Sequence, residues 1–90
     1  MKSRRTARFK SLFGQLPAEV QHGAQRAYDL FQRDPLHPGL QFKRLRADRQ
    51  TYSIRIGRGY RALDIGFDEI LVWYWIGPHA EYDRLISQLN

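Results

Sequence analysis

Apolar positions along this chain change period twice, and each change marks a new kind of element. Phe9, Leu12, Phe13 and Leu16 recur at helical spacing, which predicts a short first helix. Leu16, Val20, Ala24, Ala27 and Phe31 then follow steps of four and three, the buried stripe of a second helix. Gln21, Gln25, Arg26, Asp29 and Gln32 fall on its wet side. Pro17 suits the first position of that helix, where its missing N–H leaves no bond unmade. The run Asp34-Pro-Leu-His-Pro-Gly39 ends it, because two prolines cannot continue the hydrogen-bond ladder. Phe42, Lys43, Arg44 and Leu45 read as a polar connection. From Thr51 the period is two: Tyr52, Ile54 and Ile56 point one way, Ser53 and Arg55 the other. Gly57-Arg58-Gly59 supplies a turn, and Tyr60 to Ile65 is the returning strand. Gly66-Phe67-Asp68-Glu69 reads as the next turn. Ile70 to Ile76 is an unbroken apolar run, as expected of a central strand covered on both faces. Trp73 and Trp75 fall on the same face of it by alternation. Gly77-Pro78 ends the strand, and Tyr82, Leu85, Ile86 and Leu89 return to helical spacing. Residues 2–7 complete the outline as a short, charged edge strand. The pattern predicts one α+β domain over residues 1–90, a strand and helices followed by an antiparallel meander and a last helix.

Composition narrows the function classes. A chain of 90 residues is near the size at which one core is just sufficient. It has no cysteine, which excludes a disulfide framework, a thiol nucleophile and a Cys-based zinc site and fits a reducing cytoplasm. The basic start lacks the apolar run of a signal peptide. No segment approaches the roughly 20 apolar residues that cross a bilayer, so a soluble protein is expected. The net charge is +6, and twelve of the fifteen basic residues are arginine. Arginine's planar fork of donors matches phosphate and carboxylate. Nucleic acid or the ribosome is therefore a candidate partner, beside an acidic protein or solubility alone.

The candidate chemistry gathers at strand edges. RNA is cut without a metal when its 2′-hydroxyl attacks the adjacent phosphorus. That reaction needs a base, an acid and cations around the developing charge. His79, directly after Gly77-Pro78, stands at a strand exit where a scaffold can expose a proton carrier. On its own, a histidine here more often is a helix-start residue bonded to nearby backbone. Arg55 and Arg61 lie on neighbouring strands, either gripping one phosphate together or pairing with Asp64 or Glu81. Arg58 at the turn reads as a peripheral backbone contact, and Lys43 and Arg44 as an extension of a phosphate track. Tyr82, three residues after His79, either stacks on a base or belongs to the core. His37 reads as a cap, His22 as a solvated helix residue, and the two tryptophans as core. His22, His37 and His79 lack metal-ligand spacing, and no glycine-rich loop precedes a helix, so neither a metal nor a nucleotide cofactor is expected.

The order of these pieces resembles the RelE/ParE superfamily of toxins from type II toxin–antitoxin systems. The resemblance runs through Phe13-Gly-Gln-Leu-Pro-Ala-Glu-Val20, Asp34-Pro-Leu-His-Pro-Gly-Leu40, Phe42-Lys-Arg-Leu45, the Tyr52–Arg61 hairpin and Ile76-Gly-Pro-His-Ala-Glu-Tyr-Asp83. It implies a twisted antiparallel sheet with an N-terminal strand and two helices against it and a short C-terminal helix. For RelE-type members it implies a ribosome-dependent endoribonuclease cleaving mRNA and a cognate antitoxin as partner. On that pattern Arg55 takes a basic strand position, Arg61 the arginine after Gly-Tyr, and His79 the terminal basic position. Two departures stand out. Ser53 occupies a place where many RelE-like sequences carry lysine, and Tyr82 follows His79 more closely than the family's tyrosine follows its terminal basic residue. Since arginine is a very poor base, the nuclease reading needs His79 for proton transfer. ParE-type members share the fold and poison DNA gyrase, so a gyrase inhibitor or a non-catalytic protein-binding module is the alternative.

Overall fold

A computed structural model describes residues 2–45, 50–67 and 69–89 of the chain. The elements run β1 (Lys2–Arg5), α1 (Ala7–Gly14), α2 (Ala18–Arg33), a 3₁₀ turn (Pro38–Leu40), β2 (Lys43–Arg44), β3 (Thr51–Ile56), β4 (Tyr60–Phe67), β5 (Ile70–Pro78) and α3 (His79–Leu89). The five strands form one sheet in the order β1-β5-β4-β3-β2. The fold is α+β, with α1 and α2 packed on one face of the sheet and α3 on the other.

Local chemistry sets the element ends. The Thr6 side chain accepts a hydrogen bond from the Phe9 N–H at 3.1 Å, so Thr6 caps α1 and ends β1 two residues before the expected limit. Pro17 is the N-cap of α2, one place before the position expected, and its carbonyl accepts from the N–H groups of Val20 and Gln21. Ala24 and Phe31 of the predicted stripe are buried. Gln21 is half-buried, unlike its expected wet neighbours, because its amide donates to the carbonyls of Leu16 and Gly14.

The meander of β3, β4 and β5 matches the expected one, except that β5 continues through Gly77 and Pro78, opposite Arg61 and Tyr60, where an end was expected, and with three further corrections. Gly66 and Phe67 continue β4 and pair with Leu71 and Ile70, so the next turn is tighter than four residues; Asp68 lies outside the described residues. Lys43 and Arg44 form a short strand opposite Ser53 and Tyr52 where a connection was expected. The sheet is mixed, since β1 pairs in parallel with β5, Lys2 opposite Ile70 through Arg5 opposite Trp73.

A β-bulge decides where the tryptophans go. Leu63 faces Trp75 and Asp64 faces Trp73, which leaves Tyr74 as an extra residue on β5. Alternation resets across it, and the two indoles leave on opposite faces, not on the shared face that simple alternation predicts. Trp73 joins the core under α1 and α2, with edge-on contacts to Phe31 at 5.8 Å and Tyr28 at 6.4 Å between centroids. Trp75 packs with Leu63 and Tyr82 under α3. Gly77 follows from this. A Cβ there would lie 2.7 Å from the Trp75 ring, so the indole and any side chain at position 77 exclude one another.

Candidate functional site

Beneath α3 the sheet carries a buried polar group. Arg61 is 2 % exposed and stands directly opposite Arg55 in the β3–β4 register. One Arg61 guanidinium nitrogen donates to the Gln41 amide oxygen at 3.2 Å. The other donates to the Gln41 backbone carbonyl at 3.1 Å and to Ser53 Oγ at 2.8 Å. The Tyr82 hydroxyl donates to the same Ser53 oxygen at 3.1 Å, and the guanidinium lies over the Tyr82 ring, 5.0 Å from its centroid. Tyr82 is itself only 2 % exposed. Desolvation lowers the pKa of Arg61; Arg55 pushes the same way and Tyr82 opposes it. Ser53, fully buried, thus does what a lysine at this strand position could not: a hydroxyl accepts from two donors, where an ammonium would meet a guanidinium.

The rim above this group is exposed. The backbone N–H of His79 donates to the Gly59 carbonyl at 2.8 Å, which ties the start of α3 to the turn between β3 and β4. Gly57 takes a φ of 58° in that turn, a conformation that suits glycine. The His79 and Tyr82 rings meet in a T-shaped contact, 5.6 Å between centroids, and the His79 Nδ1 lies 3.1 Å from Asp83 Oδ2. Arg55 is partly exposed and donates from Nε to the Gly57 carbonyl at 2.8 Å, while Arg58 is exposed at the turn. Lys43, opposite Ser53, shares the register row of the polar group, and Arg44 stands one place on, opposite Tyr52; both are exposed.

Of the residues expected from sequence, the structure brings Arg55, Arg58, Arg61, His79 and Tyr82 to one end of the meander. Arg61 and Tyr82 are buried there, beneath the surface that a substrate would touch. The pairing of Arg61 with Asp64 that sequence left open does not form. Asp64 is fully buried with both carboxylate oxygens unpartnered, and desolvation pushes its pKa up to about 7. Its charge and burial together raise the pKa of Tyr74, burial being the larger cause. His37 does act as a cap, its Nδ1 accepting from the Gly39 N–H at 3.0 Å. Two members of the site were missed. Asp83 was readable, since it follows His79 by one helical turn. Gln41 carried no signal; it reaches Arg61 through a left-handed backbone, φ 45°, at the end of the 3₁₀ turn. Among the described residues no group of three His, Asp or Glu side chains is placed to hold a metal ion, and no helix is long and apolar enough to cross a membrane.

This fold is that of the small toxins of toxin–antitoxin systems. The family model of the ParE-like toxin domain matches residues 18–84, and the chain belongs to that family, within the RelE/ParE superfamily. A comparison with curated protein sequences finds no match. Solved structures with the same fold include the RelB–RelE antitoxin–toxin complex of Methanococcus jannaschii, TM-score 0.71 and 16% identity over 90% of this chain and 96% of that one. The isolated RelE toxin of E. coli gives a TM-score of 0.67 and 16% identity over 99% and 98%. The RelBE2 toxin–antitoxin complex of Mycobacterium tuberculosis gives 0.67 and 26% identity over 87% and 96%.

Proposed function

We propose that this toxin is a ribosome-dependent endoribonuclease, working in the cytoplasm and held inactive by a cognate antitoxin. The observation that carries the reading is the placement of His79. Its imidazole is exposed at the junction of β5, α3 and the β3–β4 turn, with Arg55 and Arg58 on the adjoining hairpin. In this reading His79 moves the proton, as general base or acid. Arg55 and Arg58 meet the phosphates, and Lys43 and Arg44 extend the contact along the RNA or ribosome backbone. Arg61 and Tyr82 act from below. The guanidinium adds fixed positive charge in a desolvated place, and the tyrosine ring supports the imidazole. An antitoxin partner is supported by the M. jannaschii and M. tuberculosis structures, which are antitoxin complexes, and the net charge of +6 suits an acidic one.

A second reading is a gyrase-directed or purely protein-binding toxin. It is favoured by the burial of Arg61 and Tyr82, which leaves His79 with less help at the surface than a nuclease site would use. Mapping mRNA 5′ ends in cells expressing the wild type or His79→Ala separates the two. The nuclease reading expects new ends at ribosome-bound codons with the wild type and their loss in the variant. Intact mRNA together with trapped DNA breaks would establish the gyrase reading, and unchanged cleavage by His79→Ala would remove His79 from the mechanism.

A further inference from the structure

We propose that Asp83 is a positioning residue for His79, holding the proton on Nδ1 so that Nε2 faces the substrate as the base. The inference rests on the nuclease reading above. Three constraints meet on this one residue. The backbone N–H of His79 is held by the Gly59 carbonyl, the ring meets Tyr82 in a T-shaped contact, and Nδ1 is held by Asp83 at 3.1 Å. The first comes from the β3–β4 turn, the second from the floor of the site, and the third from the next turn of α3. Together they fix the ring's position, its tilt and its tautomer.

The tautomer matters because a carboxylate only accepts. Facing Asp83, a neutral imidazole carries its hydrogen on Nδ1 and keeps its lone pair on Nε2. Nε2 can then take the 2′-hydroxyl proton. As it does, the bond from the 2′-oxygen to phosphorus forms and the bond from phosphorus to the 5′-oxygen breaks. The leaving 5′-oxygen takes a proton from water, and the imidazolium later returns its own to solvent. The products are a 2′,3′-cyclic phosphate and a 5′-hydroxyl. No oxidant, metal or cofactor enters the balance. Asp83 also stabilises the imidazolium while it lasts.

A purely structural pair would behave differently. The side chains are 53 % and 59 % exposed, and an exposed pair one helical turn apart adds little to stability. Removing Asp83 should therefore leave the fold intact and still slow the chemistry.

The test reads both levels. Long-range ¹H–¹⁵N correlation spectra of labelled toxin at alkaline pH report which ring nitrogen of His79 bears the hydrogen. The wild type should show Nδ1–H, and Asp83→Asn, whose amide can donate to Nδ1, should show Nε2–H. The same variant should cut ribosome-bound mRNA at least about tenfold more slowly, with Asp83→Glu recovering part of the rate. Nε2–H in the wild type, or an unchanged tautomer in Asp83→Asn, would overturn the proposal whatever the activity. Cleavage by Asp83→Asn at the wild-type rate would overturn its catalytic half. If the tautomers behave as stated but the wild type cuts no mRNA, the nuclease reading fails and the catalytic half falls with it.

Discussion

On one face of the sheet, Phe9, Phe31, Trp73 and Ile76 close up against α1 and α2 with ring edges meeting ring faces. On the other, the space under α3 is shared between apolar Leu63 and Trp75 and a hydrogen-bonded cluster of Arg61, Gln41, Ser53 and Tyr82. The first face gains its stability from apolar area, which tolerates small shifts. The second is held by hydrogen bonds from both terminal guanidinium nitrogens of Arg61, while its Nε is buried without a partner, and a buried polar group without one is expensive. The opposite face, filled with large side chains, carries the larger apolar cluster.

Breaking the apolar side should have the largest effect. Trp73→Ala removes the ring that Tyr28 and Phe31 both meet, and should lower stability by about 3–5 kcal/mol in denaturant unfolding. A loss below about 1 kcal/mol would mean that this face is not where the fold is held. Next comes Asp64, beside the bulge where the tryptophans part. Its carboxyl is raised from an ordinary 3.8 to about 7 by desolvation. Below the ordinary value it is neutral in both folded and unfolded chains and takes nothing from stability. As pH rises towards 7 the unfolded chain ionises more readily than the folded one. Stability should therefore fall across that window, by up to about 4 kcal/mol. Urea unfolding over a pH series checks this, and Asp64→Asn should flatten the profile. The smallest effect belongs to the polar face. Tyr82→Phe removes one donor to Ser53, which keeps its bond from Arg61, and should lower stability by about 1 kcal/mol in the same unfolding assay. A loss of several kcal/mol would show that the cluster, not the aromatic core, is the more fragile side.

Much of this was legible in the sequence, and the limits have physical causes. The stripe from Leu16 to Phe31 and the alternation from Thr51 are local patterns, so helices and meander could be read directly. The parallel pairing of Lys2–Arg5 with β5 is not local; it joins distant segments and leaves no period behind. The opposite placement of Trp73 and Trp75 depends on one unpaired residue, Tyr74, and an apolar run looks the same with or without it. For the site, alternation placed Arg55 and Ser53 on one face, and the family resemblance marked Arg61 and His79. Neither could tell that α3 would lie over Arg61, since burial depends on what packs above a strand. Asp83 was within reach by its spacing; Gln41, twenty residues from Arg61, was not.

The position of β5 inside the sheet, between β1 and β4, bears on how the molecule is made. Its neighbours are β1, from the start of the chain, and β4, which immediately precedes it. Among the described strands β1 precedes the others in synthesis, and it pairs with β5, which follows all of them. Until then the apolar residues of α1 and α2 have no complete surface to cover, and loop closure between distant segments is slow. The toxin's ordered core is therefore a late product of translation, and a nascent chain stalled before residue 70 carries the site's hairpin without the strand and helix that bring His79 to it.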